Sequence, residues 1–381
     1  MTTTTPTPFQ GAARAAAYLE ENTLKRPAPA HVAAPPAELV AEPITADPIT
    51  VPPTAETVPV DDVDVSVLLP AASPAIAATG IRGLLARTGL KLAPSPAEVA
   101  ALEAADVLRR EEDLIRQSTW PRGVGILVAN RKGGVGKTPT SVILGGVLAA
   151  IRGGSVAVME VSDDPGTLTY RSEGTPRRGI GELVTDYADI RSAGQLASYT
   201  APQSSFAAVI GTTAIRPRLD ATDVLRAAKL VDEHYGIRVM DSGNQPSSSA
   251  FDGALAATDV LVIPVLNSAE AVLEAIALLD YLRGHSGTRA RIAERAVIVR
   301  LTDGRVETPD LNDRLGQLLA QHHTGPVFEI PFDPHIAERG PITIAQLRPA
   351  TRAAFTHLAA GIVGTLNDVP MQDHPEIHTH E

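Results

Sequence analysis

The sequence predicts an α/β fold: a doubly wound, mostly parallel sheet flanked by helices, preceded by a disordered Pro/Ala-rich extension and a short helical prefix. Three observations carry this. Seven nearly continuous apolar runs recur at 125–130, 155–161, 206–211, 237–243, 259–266, 296–301 and 327–331, a pattern that suits strands buried on both faces. Segments of helical length lie between most of them, at 138–152, 221–234, 268–284 and 308–322, and such alternation builds parallel sheets. A glycine-rich loop closes the first run and opens the first of these helices, at the strand end where such sheets bind ligands.

The chain of 381 residues carries 33 Lys+Arg against 44 Asp+Glu, a formal net charge of −11. An acidic balance argues against coating nucleic acid through bulk charge. There is no cysteine, which excludes disulfides, thiolate metal sites and cysteine nucleophiles. No run approaches the ~20 apolar residues of a bilayer span, and MTTTTPTPFQ lacks the charged and apolar regions of a secretory leader. A cytoplasmic protein without integral membrane association is expected.

In order, residues 1–80 form the extension: 27–81 contain no Lys or Arg and repeat Pro, Ala, Thr and Val, so an extended acidic tether is expected. A short Ala-rich helix at 9–21 precedes it. The helical prefix spans 81–118. Its first part sets Ile81, Leu84, Leu85, Leu90 and Leu92 among Arg82, Arg87 and Lys91. Ser95-Pro96-Ala97-Glu98 has the form of a capping box and starts a helix to about Gln117. Trp120, the one tryptophan, is expected to anchor this prefix to the body. The strand–helix body covers 119–366, and 367–381 is a flexible tail in which His374, His378 and His380 alternate with acidic residues.

Asn130-Arg131-Lys132-Gly133-Gly134-Val135-Gly136-Lys137-Thr138 is a phosphate loop in its proper strand–loop–helix context. Gly133, Gly134, Val135 and Gly136 bring backbone amides around a β-phosphate, and the following helix N-terminus favours the anion. Lys137 reaches the β- and γ-phosphates, and the Thr138 hydroxyl binds Mg²⁺. Pro139 is tolerated in the first helical turn, where its missing N–H has no partner. ATP and Mg²⁺ are therefore the expected ligands, with this fold a P-loop NTPase.

KGGVGKT resembles the deviant Walker A loop of the ParA/MinD family of ATPases. The resemblance implies a homodimer in the ATP state, with Lys132 contacting nucleotide across the interface. Two of the chain's five lysines lie in this loop. Asp241, ending the run IRVMD, is similar to the family's Walker B aspartate and is the expected second Mg²⁺ ligand. The second run ends MEVSDDPG, where the family has an Asp-x-Asp-Pro type sequence. Glu160 takes the first acidic place and Ser162 the place two residues on, leaving the register open. Asp164 is favoured to position the attacking water, with Asp163 close behind. Asp333, in Pro331-Phe332-Asp333-Pro334, stands where related folds place the adenine.

GTLTYR, VMDSGNQ, AVLEAIALLDYLR and the segment from EIPFDPH to RPATRAAF look like an actinobacterial MinD-like branch associated with plasmids and type VII secretion. The resemblance covers about 80–365. It implies a slowly hydrolysing dimeric switch that positions or partitions DNA or a cellular apparatus. The alternative is a nucleotide-gated scaffold or accessory ATPase of a secretion or conjugation system. The extension is the expected recruiter of a protein partner. Arg283, Arg289, Arg291 and Arg295, with Arg300, form a candidate patch for non-specific DNA and nucleoid association.

Overall fold

A computed structural model describes residues 93, 95–305 and 308–369, all within the second of the chain's two compact units, Pro74–Glu381. The extension, its helix at 9–21, the amphipathic stretch at 81–92 and the histidines of the tail lie outside the described residues.

Helix α1 (Pro96–Gln117) opens with the expected capping box: Ser95 Oγ accepts from the Glu98 amide at 3.2 Å, and the Glu98 carboxylate accepts from the Ser95 amide at 3.4 Å. Of its residues only Ile115 is buried. The prefix is fastened at its C-terminal end, where Arg152 donates to the carbonyls of Ile115 and Ser118 at 2.7 and 2.8 Å. The same guanidinium lies 5.4 Å over the Trp120 ring, and Trp120 Nε1 donates to Asn367 Oδ1 at 3.1 Å.

The body runs β1 (Val124–Val128), α2 (Lys137–Arg152), β2 (Val156–Glu160), α3 (Leu168–Arg171), α4 (Ile180–Thr185), α5 (Ala193–Ala197), β3 (Ala201–Pro202) and β4 (Ala208–Ile210). It continues through α6 (Ala221–Asp232), β5 (Ile237–Asp241), α7 (Ser249–Ala256), β6 (Val260–Leu266), α8 (Ala269–Arg283), α9 (Thr288–Glu294) and β7 (Val297–Leu301). The last elements are α10 (Pro309–His322), β8 (Val327–Ile330), α11 (Pro334–Ala337) and α12 (Pro349–Asp368). Among the described residues these eight strands form one sheet in the order β3-β4-β2-β5-β1-β6-β7-β8, and only the β3–β4 pair is antiparallel. This is the doubly wound, helix-flanked architecture of a P-loop NTPase.

Alternation along each strand divides the core in two. Ile126, Val128, Val158, Val239 and Val262 face α2 and α12. Leu127, Met159, Met240, Leu261 and Ile263 face α6, α7 and α8. Every residue of β1, β2 and β5 is buried, the reason these runs read as continuously apolar. One close approach demands a glycine: a Cβ on Gly125 would sit 2.1 Å from the Ala257 carbonyl oxygen.

Several boundaries shift by one or two residues from expectation. The run at 206–211 pairs only over 208–210, because Phe206 adopts a φ of 69° in the turn from β3. Helix α12 runs to Asp368, so the body extends two residues into the expected tail. Its Leu366 is fully buried in the core cluster that includes Ile115 and the residues of α2 and α12. Among the described residues no helix is long and apolar enough to cross a membrane.

Candidate functional site

A cleft of about 1010 Å³ opens at the carboxyl ends of the central strands. One wall is the loop after β1. Gly134 and Gly136 take φ values of 77° and 95°, backbone that other residues enter only with strain. A Cβ on Gly134 would meet nothing within 4 Å, so the loop's inner rim is open, as an oxyanion cradle requires. Gly136 is the N-cap of α2, and Pro139 lies in the first turn of that helix. Gly133 faces Asn244 of the opposite loop. Val135 is 1% exposed and sits in the core, so the loop is anchored by its one apolar side chain.

Lys137 is buried, and its Nζ donates to the Lys132 carbonyl at 3.2 Å and to Asn244 Oδ1. Desolvation lowers its pKa to about 8, opposed by the charge of Asp241. The Thr138 hydroxyl donates to Asp241 Oδ2 at 2.7 Å, and Ser141 donates to Oδ1 at 3.1 Å. Asp241 ends β5 directly between β1 and β2, in register with Val128 on one side and Glu160 on the other. Burial pushes its pKa up to about 7, and the charge of Glu160 adds to this; the two hydroxyls and Lys137 pull the other way. A buried carboxylate beside a hydroxyl is a fitting donor set for a magnesium ion that takes its other ligands from phosphate and water. Among the described residues no cluster of three or more His, Asp or Glu could hold a metal by itself.

The three acids after β2 have different fates. Glu160 is 1% exposed; its Oε1 accepts from Arg216 Nη2 and the Gly166 amide, both at 2.9 Å, and from the Thr212 hydroxyl. Asp164 is turned outward and forked by Arg218 at 2.9 and 3.1 Å. Asp163 lines the cleft, and an oxygen of its carboxylate lies 3.4 Å from where a Cβ on Gly243 would be. Among the described residues no hydrogen bond occupies that carboxylate.

No family model matches this chain. The ESX-1 secretion-associated protein EspI of Mycobacterium tuberculosis (strain H37Rv) is 25% identical over 289 residues, covering 73% of this chain and 40% of that protein. The chain thus spans less than half the length of this curated relative. Among solved structures, a ParA family ATPase from Chlorobium tepidum TLS matches with a TM-score of 0.47 and 15% identity, over 65% of this chain and 96% of its own. The MinC:MinD cell division protein complex of Aquifex aeolicus matches with 0.48 and 15%, over 67% and 100%.

The remaining expected residues are placed as follows. Lys132 pairs with Glu270, and Arg131 pairs with Glu274 at 3.2 Å, so the two basic residues that precede the glycines both rest on the first turns of α8. Asp333 lines the cleft, but its carboxylate accepts from the His335 and Arg348 amides at 3.0 and 2.8 Å. Burial would raise its pKa; these bonds and the charge of Arg348 lower it instead. Its oxygens are thereby spent on capping α11 and joining it to α12, while its neighbours Pro331, Phe332 and Ile336 line the cleft. Three of the five arginines of the patch form ion pairs, Arg283 with Asp280, Arg289 with Asp252 and Arg300 with Glu329, and Arg291 donates to the Thr288 hydroxyl. Arg295 is exposed.

Sequence reasoning passed over Ser141, Asn244 and Arg216. Ser141 stands one helical turn after Lys137, a spacing that could have flagged it. Asn244 lies three residues after Asp241, within the segment VMDSGNQ. Arg216 carries no local signal.

Proposed function

We propose that this chain is an ATP-binding, slowly hydrolysing ParA/MinD-like switch that dimerises in its ATP–Mg²⁺ state. The observation that carries this is the joining of loop, hydroxyl and carboxylate: Lys137, Thr138 and Asp241 meet at one end of the sheet, with Thr138 and Asp241 2.7 Å apart. Amides of 133–138 would cradle the β-phosphate, and the Lys137 ammonium would leave Asn244 for the β- and γ-oxygens. Thr138 and Asp241 are the residues that would hold Mg²⁺, which when bound neutralises charge on the phosphates. Catalysis of this kind is mostly positioning and charge stabilisation.

For the water-orienting acid we favour Asp163 over Asp164. All three acids line the cleft, but Glu160 is committed to Arg216 and Asp164 to Arg218, and of the three only the Asp163 carboxylate has no hydrogen bond among the described residues. Lys132 would act across the dimer after leaving Glu270.

The test is phosphate release from ATP with Mg²⁺. Turnover abolished by Lys137→Ala and reduced by Asp163→Asn, with Asp164→Asn close to wild type, supports this reading. Loss in Asp164→Asn alone overturns the choice of acid. A second reading, favoured by the likeness to a secretion-associated protein, is a nucleotide-gated scaffold of a type VII secretion apparatus. Tight ATP binding with no release of phosphate would favour it. Cargo recognition, by the extension or by the arginines from Arg283 to Arg295, belongs to either reading.

A further inference from the structure

The loop 212–218 crosses the carboxyl end of β2 and sends Arg216 inward, where its side chain is only 4% exposed. Its Nε donates to Thr212 Oγ1 at 3.0 Å. Nη1 donates to the carbonyls of Asp163 at 2.7 Å and Pro217 at 3.0 Å. Nη2 donates to Glu160 Oε1 at 2.9 Å and to the carbonyls of Ser162 and Asp164 at 3.0 and 3.1 Å. The five N–H groups of the guanidinium thus serve six acceptors.

An arginine that served only to neutralise Glu160 would need one of those bonds. Here the carbonyls of three consecutive residues, 162, 163 and 164, converge on a single cation. With its carbonyls drawn inward, the segment has little freedom to rotate. Ser162 Oγ closes the turn by donating to the Asp164 carbonyl at 2.7 Å, and the Leu219 amide donates to that of Asp163 at 3.1 Å. The outcome is the Asp163 carboxylate beside Gly243 and the Asp164 carboxylate turned away to Arg218.

We infer that Arg216 is a positioning residue for hydrolysis: by gripping the backbone of 162–164 it holds Asp163 where a water-orienting carboxylate must stand. This rests on the proposed function of the same cleft. A point-like ammonium cannot reproduce the planar fork. Arg216→Lys therefore keeps the positive charge beside Glu160 while releasing the loop carbonyls.

The experiment measures kcat, KM and ATP dissociation constant on the full chain for wild type, Arg216→Lys, Asp163→Asn and the double variant, with Tm as a control. Arg216→Lys is expected to lower kcat by about 10- to 100-fold, the scale of misplaced catalytic groups. ATP affinity should stay within about threefold, since that loop makes no part of the phosphate cradle. The double variant should fall no further than Asp163→Asn alone, because both changes act through one carboxylate. Thr212→Val, which removes the Nε acceptor and the hydroxyl's bond to Glu160 but leaves the three loop carbonyls gripped, should give a smaller loss of kcat and serves if Arg216→Lys does not fold. Losses that multiply in the double variant, or a fall in kcat matched by equal falls in affinity and Tm, would overturn the inference. Normal kcat in Arg216→Lys beside a crippled Asp163→Asn would overturn it alone. A wild type without turnover would overturn the hydrolysis reading and this inference together.

Discussion

Replacing Asp241 by Asn should make the metal-free chain more stable, and more so as pH rises. The carboxylate is buried between β1 and β2 with Glu160 beside it, and its pKa is held at about 7 against 3.8 for the free side chain. The folded state therefore binds this proton more tightly than the unfolded chain. Such a group contributes fully to stability below the unfolded pKa and loses that contribution as pH rises through the folded one. Integrating between pH 5 and pH 8, wild type should lose about 2 to 3 kcal/mol from this residue, at about 1.4 kcal/mol per pH unit until the slope flattens near 7. Asp241→Asn keeps an acceptor for one of the Thr138 and Ser141 hydroxyls and has nothing to titrate. The assay is urea unfolding in EDTA at pH 5, 6, 7 and 8, with stability compared at constant m-value. A difference between variant and wild type that is flat across this range would refute the reasoning. So would one that shrinks as pH rises.

Lys137→Ala should weaken ATP binding by about 10- to 100-fold or more, the scale of lost charged hydrogen bonds, read by equilibrium titration with Mg²⁺ at pH 7. At that pH the wild-type ammonium, with its pKa near 8, is still mostly charged, and affinity should decline as pH rises above 8. Gly136→Ala should cost about 1 to 3 kcal/mol in thermal or urea unfolding, because φ is 95° and the new Cβ would lie 2.6 Å from Leu301 Cδ1. Glu270→Gln frees Lys132 from an exposed ion pair. Such a pair is worth under about 1 kcal/mol, so Tm should hardly move while ATP-dependent dimerisation strengthens by no more than about fivefold.

Much of this was legible in the residues before the fold was known. The phosphate loop is contiguous, so strand, glycines, Lys137 and Thr138 identify one another without tertiary information. Asp241 was readable because an apolar run ending in a single acid is itself a local pattern. What lay beyond reach depends on contacts between distant segments. Arg216 and Arg218 are two residues apart in one irregular stretch, IRPR. One is buried against Glu160 and three loop carbonyls; the other is 72% exposed on Asp164. Only the path of that loop over β2 separates them, and the same path ties the Asp164 carboxylate to Arg218 while leaving that of Asp163 without a hydrogen bond among the described residues. The pairing of the arginines between Arg283 and Arg300 was out of reach for a similar reason. Their neutralising partners Asp252 and Glu329 come from α7 and β8, far away in sequence.

The proposed nucleotide-driven dimer switch is tested most directly by molar mass. Light scattering on the purified chain with ATP–Mg²⁺, using Asp163→Asn to prevent turnover, should give twice the monomer mass. The same protein with ADP, and Lys132→Ala with ATP, should give the monomer mass. A single mass in all three samples, with ATP bound at saturation, would contradict the account.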